Sequence, residues 1–554
     1  MIKARLSEII DKAADVIVQK RGREDIKMPL YAVDVPPGNV KADFATNIAL
    51  MLSAKLGESS MVIAGELVTE LVKAEELFEA VKFVKPGFIN FYMNRKVFYE
   101  EIKKINKSGE NYGSGDFGRN KKIMIEFVSA NPTGPLHVGH GRGAAIGDSM
   151  ANIMKTLGYD VVKEYYVNDV GNQIDMLTDS LAARRRETAI PEGGYEGEYI
   201  KIASGEMAGE LDDYLQKPTP ENKEKVRRSG VELMLRDIKK DLEDFGLKFD
   251  SWFFESTLYR KAENEKNEIE QALEKLKRNN YIFEQDGAIW FRSTSFGDDK
   301  DRVVIKNDMS KTYLASDIAY HYDKFKRGFD TVINIWGADH HGYIDRVKGS
   351  VTAMGYDSVR LKILLYQLVN LTREGKPVVM SKRKADYVTL RQVIDEVGSD
   401  ACRFFFLMRN ANTPLDFDLE LAKKQSQDNP VYYVQYGHAR ICSIFKEAEK
   451  AGIKLKAESE SNLELLNEQE ELELMKRLGN YSGLLLKCCI TVEPHHLTSY
   501  LQDLVGVFHS YYAKHRIIGD NEELTAARLQ LLKALAIVIK NGLKILGVTA
   551  PERM

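Results

Sequence analysis

A strand, a short loop and a helix follow one another from residue 122, and this succession constrains the fold more than any other feature of the sequence. Residues 122–128 (KIMIEFV) form an apolar run typical of a buried strand, and the loop SANPTGP follows them. A helical pattern then extends from about residue 137 to residue 157, Gly158 ends it, and YDVVKEYYV is the next strand. Strand, helix and strand at this spacing predict a βαβ unit with a parallel sheet.

The 554 residues divide into segments with different patterns, in keeping with the three or four domains expected at about this length. Residues 1–110 alternate helical and strand patterns, including a helix at 43–57 and a strand in VKPGFINFYM, and a glycine-rich linker follows at 111–120. Residues 111–414 carry the βαβ unit and further strands in GAIWFR, DRVVIK, DTVINIW and LKILLYQLVNL, with a polar, mainly helical insertion at about 180–280. Residues 415–554 show only helical periodicity. We therefore expect a multidomain α/β protein with an N-terminal α+β domain and a C-terminal all-α domain.

Composition and targeting signals narrow the class of protein. No apolar run approaches the ~20 residues of a membrane span, and the charged, amphipathic start lacks the apolar core and cleavage site of a secretory signal. The four cysteines form no CxxC pair, which suits neither a disulfide framework nor a zinc site. The formal charge of −3 leaves any nucleic-acid partner to local basic patches. These features predict a cytoplasmic protein with reduced thiols and no membrane partner.

The first turn of the helix after the SANPTGP loop carries His137, Gly139 and His140. The two imidazoles are three residues apart and share one face, at a helix N-terminus whose free N–H groups favour anions. Phosphate oxygens suit such a site, and Gly139 allows a flat ligand such as adenine to approach the backbone. In the loop, Pro132 adds stiffness and Gly134 allows a turn.

Two other interpretations compete with a phosphate site at this helix. The HVGH string alone also fits two surface histidines beside a glycine. Gly141, Gly143 and Gly147 match a GxGxxxG spacing similar to the dinucleotide-binding fingerprint. In that fingerprint, however, the first glycine follows the strand almost at once. Here the whole loop and the first helical turn separate Val128 from Gly141, which argues against a nicotinamide cofactor.

Two longer segments carry a family resemblance. SANPTGPLHVGHGRGAAIGD closely resembles the HIGH-motif region of arginyl-tRNA synthetases, a class I aminoacyl-tRNA synthetase family. MSKRK at 380–384 resembles the KMSKS loop of that family, with Val379 in place of its first lysine. Small residues give such a loop mobility, and its lysines neutralise the pyrophosphate leaving group. By itself, the second segment also fits a solvated basic turn.

The resemblance implies a Rossmann-type catalytic domain that binds ATP and joins arginine to its tRNA through an arginyl-adenylate. Together with the helix N-terminus argument, it implies these ATP-binding residues: Pro132, Gly134, His137, Gly139, His140, Met380, Ser381, Lys382 and Arg383.

The resemblance extends over essentially the whole chain. DFATNIA and KPGFINF are similar to the family's N-terminal tRNA-binding domain, and DACR at 400–403 resembles its D-A-L-R signature, with Cys402 where leucine is usual. NPVYYVQYGHARI and the terminal VTAPERM resemble its helical anticodon-binding domain. There we expect Tyr433, Tyr436 and Arg440 to bind tRNA, because aromatic rings stack on splayed bases and arginine meets phosphates or base edges. The alternative is that these tyrosines belong to the core.

Recognition of arginine needs carboxylates for the guanidinium group and polar acceptors for the α-amino group. The resemblance suggests two residues around the end of the first strand and two in KTYLASDIAYH, which share a face if that segment is helical. The loop after DTVINI adds two more, because loops at the carboxyl ends of parallel strands form the crevice. Its Asp-His-His run also fits a metal site, but no further Cys/His cluster supports zinc. The arginine-binding candidates are Glu126, Asn131, Tyr313, Asp317, Asp339 and His340.

Activation of arginine needs no general base, because its carboxylate is already ionised at neutral pH and attacks the ATP α-phosphate in line. We expect His137 and His140 to bind the triphosphate, and Lys382 to bind the leaving pyrophosphate. These are the candidate catalytic residues. Mg²⁺ would be carried mainly by ATP and water, with no protein-bound zinc. The second step passes arginine to the terminal ribose of tRNA(Arg), and the enzyme is expected to be a monomer.

Three other functions match parts of the sequence. A synthetase for cysteine would need a zinc–thiolate pocket, yet the first cysteine is Cys402, and one for glutamate would need a cationic pocket. A small-substrate nucleotidyltransferase with the same HxGH helix would not need so large a helical C-terminal domain. A non-catalytic tRNA-binding paralogue would be free to lose His137, His140 and Lys382, all of which are present.

Overall fold

The computed structural model describes residues 2–23, 25–36, 40–74, 76–261, 265–378, 388–453 and 461–554. No helix within these ranges is long and apolar enough to cross a membrane.

The N-terminal region is built on a small antiparallel sheet covered by helices. Its elements are α1 (Ile2–Lys20), β1 (Val33–Asp34), β2 (Phe44–Thr46), α2 (Ile48–Leu56), α3 (Ser60–Leu71), β3 (Phe78–Val84), β4 (Phe88–Met93) and α4 (Arg95–Ser108). The strand order is β1–β2–β4–β3, α2 and α3 pack on the sheet, and α1 packs on α3. The helix predicted at 43–57 starts only at Ile48, because the residues before it pair with β4 as strand β2.

The predicted βαβ unit lies at the centre of a five-stranded parallel sheet. The elements of this region are β5 (Lys122–Phe127), α5 (Val138–Thr156), β6 (Asp160–Val167), α6 (Asn172–Arg185), α7 (Glu198–Glu206), α8 (Ala208–Gln216), α9 (Pro220–Asp244), β7 (Ser251–Phe254), α10 (Glu268–Arg278), β8 (Ile282–Gln285), β9 (Ala288–Phe291), β10 (Arg302–Ile305), α11 (Tyr313–Lys326), β11 (Thr331–Gly337), α12 (Ile344–Ala353) and β12 (Leu361–Tyr366). The strand order is β12–β11–β5–β6–β7, so the chain changes direction across the sheet between β5 and β11. Such switch points form the ligand crevice of open α/β sheets.

The insertion expected at about 180–280 begins with the helices α6–α9. The chain then returns to the central sheet as β7, where Trp252 pairs with Tyr165 of β6 and the two rings stack with centroids 4.4 Å apart. Next, β8, β9 and β10 form a separate antiparallel sheet that packs with α10 and α11 around its own apolar cluster. The segment at about 180–280 is thus mainly helical, with α6–α9 and then α10, and strand β7 (Ser251–Phe254) interrupts the helices.

The last part of the chain is mostly helical. Its elements are β13 (Val369–Arg373), β14 (Lys376–Pro377), α13 (Leu390–Val397), α14 (Ser399–Phe406), β15 (Leu415–Asp418), α15 (Leu419–Lys423), α16 (Pro430–Lys450), α17 (Gln469–Thr491), α18 (His495–Lys514) and α19 (Glu522–Leu546). The prediction that only helices follow residue 415 misses β15, which pairs with β13. Helix α19 packs against both α4 and α5, so the C-terminal helices contact the two preceding regions.

The Asp-Ala-Cys-Arg segment of α14 joins the parallel-sheet region to the last helix. Arg403 is completely buried and donates to the carboxylate of Asp148 on α5 at 2.5 Å. It also donates to the backbone oxygens of Leu546 (2.8 Å) and Phe245 (3.1 Å). One guanidinium group therefore ties the middle of α5 to the C-terminal ends of α9 and α19.

Candidate active site

The N-terminus of α5 holds the two histidines as a stacked pair. His137 is the N-cap residue, and its Nδ1 accepts the backbone N–H of Gly139 at 3.0 Å. His140 Nδ1 accepts the backbone N–H of His137 at 3.2 Å, and the two ring centroids are 3.6 Å apart. Because both Nδ1 atoms accept, each neutral ring carries its proton on Nε2. Burial, and then the neighbouring His137, lower the pKa of His140 to about 3, so at neutral pH it is an uncharged donor.

The SANPTGP loop is covered by the helical insertion. Tyr199 of α7 donates its hydroxyl to the backbone oxygen of Thr133 at 3.0 Å. Its ring lies so close to Gly134 that a Cβ at that position would be 2.8 Å from the Tyr199 hydroxyl. Pro132 is buried, and Asn131 donates its amide to Gln173 of α6. The loop that joins β5 to α5 is therefore held in place by α6 and α7.

The KMSKS-like segment falls on residues that the structure does not describe, so Met380, Ser381, Lys382 and Arg383 lie outside the described residues. The chain after it is described. Leu390 N–H donates to Leu136 O at 2.7 Å, and Val138 N–H donates to Val388 O at 3.2 Å. Described residues next to this segment are thus hydrogen-bonded to the start of α5.

Helix α11 carries one face of the expected arginine pocket. KTYLASDIAYH is helical from Tyr313, so Tyr313 and Asp317 share a face, as predicted. Tyr313 is largely exposed and Asp317 is half-buried. The carboxyl end of β5 brings in Glu126, which is buried and accepts from the hydroxyl of Ser129 at 2.9 Å.

A third carboxylate, which the sequence did not single out, belongs to the same group. Glu255 follows β7, is almost completely buried, and receives the Tyr259 hydroxyl at 3.4 Å. Burial first, and then the charges of Glu255 and Glu126, raise the pKa of Asp317 from 3.8 to about 7. Burial also raises the pKa of Glu255. In the sequence, Glu255 is marked only by its position directly after the aromatic run SWFF, and neither belongs to a recognised motif.

The loop after β11 is at the crevice, yet its two candidates stay at the surface. Asp339 and His340 are exposed, with His340 Nε2 3.7 Å from Asp339 Oδ2. The His340 ring lies 5.8 Å from that of Trp336. Among the described residues, neither has a hydrogen bond or ion pair to Glu126, Asp317 or Glu255. Within the same described ranges, the group of three close metal-type donors is in the C-terminal helices and not in this loop: Glu493, His495 and His496.

The expected tRNA-binding side chains form one cluster on α16 and α18. Arg440 donates to the Tyr436 hydroxyl at 2.7 Å, and its guanidinium lies 4.6 Å from the Tyr436 ring and 5.1 Å from the Tyr512 ring. Tyr433 contacts the ring of His509, with centroids 4.9 Å apart. All of these side chains are half-buried or exposed, and Tyr433 also packs against the apolar core.

Family models match almost the whole chain. They are "Arginyl tRNA synthetase N terminal domain" at 1–93, "tRNA synthetases class I (R), catalytic domain" at 101–413 and "DALR anticodon binding domain" at 434–554.

Individual relatives and a solved structure indicate the same family as these models. The arginine–tRNA ligase of Citrifermentans bemidjiense is 47% identical over 535 residues, which are 95% of this chain and 96% of that protein. The arginine–tRNA ligase of Listeria welshimeri is 44% identical over 554 residues, with 99% and 98% of the two chains covered. The arginyl-tRNA synthetase structure from Thermus thermophilus has the same fold, with a TM-score of 0.79, 22% identity and complete coverage of both chains. The chain therefore belongs to the arginyl-tRNA synthetases, the class I enzymes that join arginine to tRNA in an ATP-dependent reaction.

Proposed function

We propose that the crevice at the carboxyl ends of β5 and β11 is where arginine is activated with ATP. The observation that supports this most is the group of acids Glu126, Asp317 and Glu255, drawn from three distant parts of the sequence. The charges of the other two raise the pKa of Asp317, so both lie close enough to act on it. A cluster of acids with perturbed pKa values in a crevice is typical of a functional site, and a guanidinium group is the natural ligand of such a cluster.

In this proposal the guanidinium group lies against Asp317 and Glu126, with Glu255 as a further carboxylate behind them. Asn131 accepts the α-amino group, and Tyr313 covers the ligand from the exposed end of α11. Asp339 and His340 line the mouth of the pocket from the loop after β11. The pocket selects arginine over uncharged amino acids, because burying acids without a cationic ligand is costly.

The ATP site is proposed at the start of α5. Adenine lies over Gly139 and the loop of Pro132 and Gly134, and the triphosphate accepts the Nε2–H groups of His137 and His140. Mg²⁺ enters with ATP and keeps water ligands. The KMSKS-like residues Met380, Ser381, Lys382 and Arg383 bind the leaving pyrophosphate, a role that rests on the sequence alone.

The chemistry proceeds in two displacements. A carboxylate oxygen of arginine forms a bond to the α-phosphorus while the bond from that phosphorus to pyrophosphate breaks. A hydroxyl of the terminal tRNA ribose then attacks the activated carbonyl, and AMP leaves. The first displacement is accelerated because the site aligns the two reacting anions and places neutral or cationic hydrogen-bond donors around the phosphates.

We propose separate roles for the three regions of the chain. Residues 1–110 and 415–554 bind tRNA, the latter at the anticodon arm through Tyr433, Tyr436 and Arg440, and residues 111–414 perform catalysis. The enzyme acts as a monomer in the cytoplasm and binds no zinc.

Steady-state aminoacylation kinetics test the arginine pocket. Asp317→Asn and Glu255→Gln should each raise the arginine KM at least about tenfold and leave the ATP KM within twofold, because they remove ground-state contacts to one substrate only. Asp286→Asn, in an exposed turn between β8 and β9, is the charge control and should change neither constant. If Asp317→Asn leaves both constants unchanged, the arginine pocket lies elsewhere.

A further inference from the structure

Two acids stand directly opposite each other on neighbouring strands of the parallel sheet. Glu126 of β5 pairs in register with Glu164 of β6, and both are buried. Like charges in this relation destabilise a sheet unless each has a counter-ion. Helix α11 supplies both: Lys324 Nζ lies 2.7 Å from Glu126, and Arg327 reaches Glu164 at 2.6 Å.

The lysine of this pair continues into a chain of buried hydrogen bonds. Lys324 Nζ also donates to Asn334 Oδ1 of β11 at 2.9 Å, and Asn334 Nδ2 donates to His321 Nε2 at 2.8 Å. His321 Nδ1 donates to the backbone oxygen of Asp317 at 2.7 Å. The direction is fixed because a carbonyl oxygen only accepts, so Nδ1 carries the proton and Nε2 accepts.

None of these three side chains reaches the surface of the crevice. Lys324 and Asn334 are fully buried and His321 is 2% exposed. Burial, and then the charge of Lys324, lower the pKa of His321 well below its usual range, so the ring is neutral and its hydrogen-bond polarity does not reverse near pH 7. A fully satisfied buried network of this kind rigidifies the groups at its ends.

We infer that Lys324, Asn334 and His321 form a positioning chain that sets the spacing between the Glu126 carboxylate and Asp317. The inference rests on the proposed function, in which these two acids hold the substrate guanidinium. A planar guanidinium group needs its carboxylates at a defined separation and angle. A displacement of about 1 Å is enough to cost about a hundredfold in a reaction that depends on alignment. The positioning chain thus acts on arginine through the two acids and does not touch it.

Lys324→Met is the main test, because it keeps most of the side-chain length and removes all the donors of Lys324. We expect the arginine KM to rise at least about tenfold while the ATP KM stays within twofold. Arg327→Met is the control: it removes the counter-ion of the neighbouring acid, Glu164, from the partly exposed C-cap of the same helix, and Glu164 itself is fully buried. It should lower the melting temperature and leave the arginine KM within twofold. Equal effects of both variants on the arginine KM would mean that the chain is only structural.

Coupling to Glu126 separates this inference from the proposed function. Glu126→Gln should raise the arginine KM by itself, and the double variant with Lys324→Met should be no more than about twofold worse, since both act at one carboxylate. Independent, multiplying effects would overturn the inference. If Glu126→Gln leaves the arginine KM unchanged, the proposed role of Glu126 is wrong and so is the inference. If Glu126→Gln raises the arginine KM but Lys324→Met does not, only the inference is wrong.

Asn334→Ala is a second variant, should Lys324→Met fail to fold. It breaks the middle of the positioning chain and leaves the Lys324–Glu126 ion pair intact. A several-fold rise in the arginine KM is expected, and a value within twofold of the wild type would overturn the inference.

Discussion

Arginine binding should weaken about tenfold as the pH falls from 8 to 6. The reason is Asp317, whose pKa in the folded protein is about 7 instead of 3.8. Its charged form, which binds the guanidinium group, dominates only above that pKa. The ionised fraction is roughly 0.9 at pH 8 and roughly 0.1 at pH 6, and their ratio sets the change in affinity, equivalent to about 1.4 kcal/mol.

The two histidines close to the site whose pKa is shifted do not titrate in this interval. The pKa of His140 is about 3 and that of His321 lies well below its usual range, so both rings remain neutral. The guanidinium group of the ligand stays charged throughout. A pH dependence between 6 and 8 is therefore expected to follow the acids of the site, and Asp317, whose pKa is about 7, is the first candidate; burial also raises the pKa of Glu255.

Isothermal titration calorimetry of arginine into the full-length protein measures this directly. At pH 7, binding should release about half a proton per arginine, because the bound guanidinium group holds Asp317 ionised; two buffers with different ionisation enthalpies give that number. Asp317→Asn should bind weakly at every pH, with no slope. A constant affinity of the wild type from pH 6 to 8, without proton release, would refute the reasoning. A slope that persists in Asp317→Asn would assign it to another group.

Three further predictions follow from the helix contacts and the tRNA cluster. His140→Ala should slow pyrophosphate exchange about a hundredfold with an unchanged melting temperature, and a near-normal rate would remove its phosphate role. Gly147→Ala should lower stability by about 1–3 kcal/mol, seen as a lower melting temperature, because its Cβ would lie 2.3 Å from the ring of Phe127; an unchanged temperature contradicts that packing. Arg440→Ala should weaken tRNA binding about tenfold or more and reduce its salt dependence without changing arginine affinity measured in the absence of tRNA. A substitution tests tRNA binding better than truncation near residue 415, because α19 packs on α4 and α5 and its loss would disturb both. If Arg440→Ala leaves the tRNA affinity unchanged, the C-terminal helices have another purpose.

The local parts of the fold were determined by the sequence itself. The βαβ unit and the strands of DTVINIW and LKILLYQLVNL carry periodicities of 2 or 3.6 residues, or apolar runs bounded by turns, and these patterns depend only on near neighbours. The stacked histidines also follow from local chemistry, since both are held by backbone N–H groups of the same helical turn. The HIGH-like segment was long enough to indicate the family, which the family models then confirmed.

Only the tertiary structure decided which strands share a sheet and what the buried acids contact. SWFF is too short to show a period, and it becomes β7 because β6 offers it a partner across 87 residues of chain. Glu255, Lys324 and Asn334 belong to no motif, and His321 was not singled out within KTYLASDIAYH, because their significance lies in distances between remote segments. Glu126 and Glu164 are far apart in the sequence but become neighbours of like charge when β5 and β6 pair. Each then needs a counter-ion, and these are Lys324 of α11 and Arg327 at its C-cap. Long-range pairing and burial set these interactions, and neither can be derived from the order of neighbouring residues.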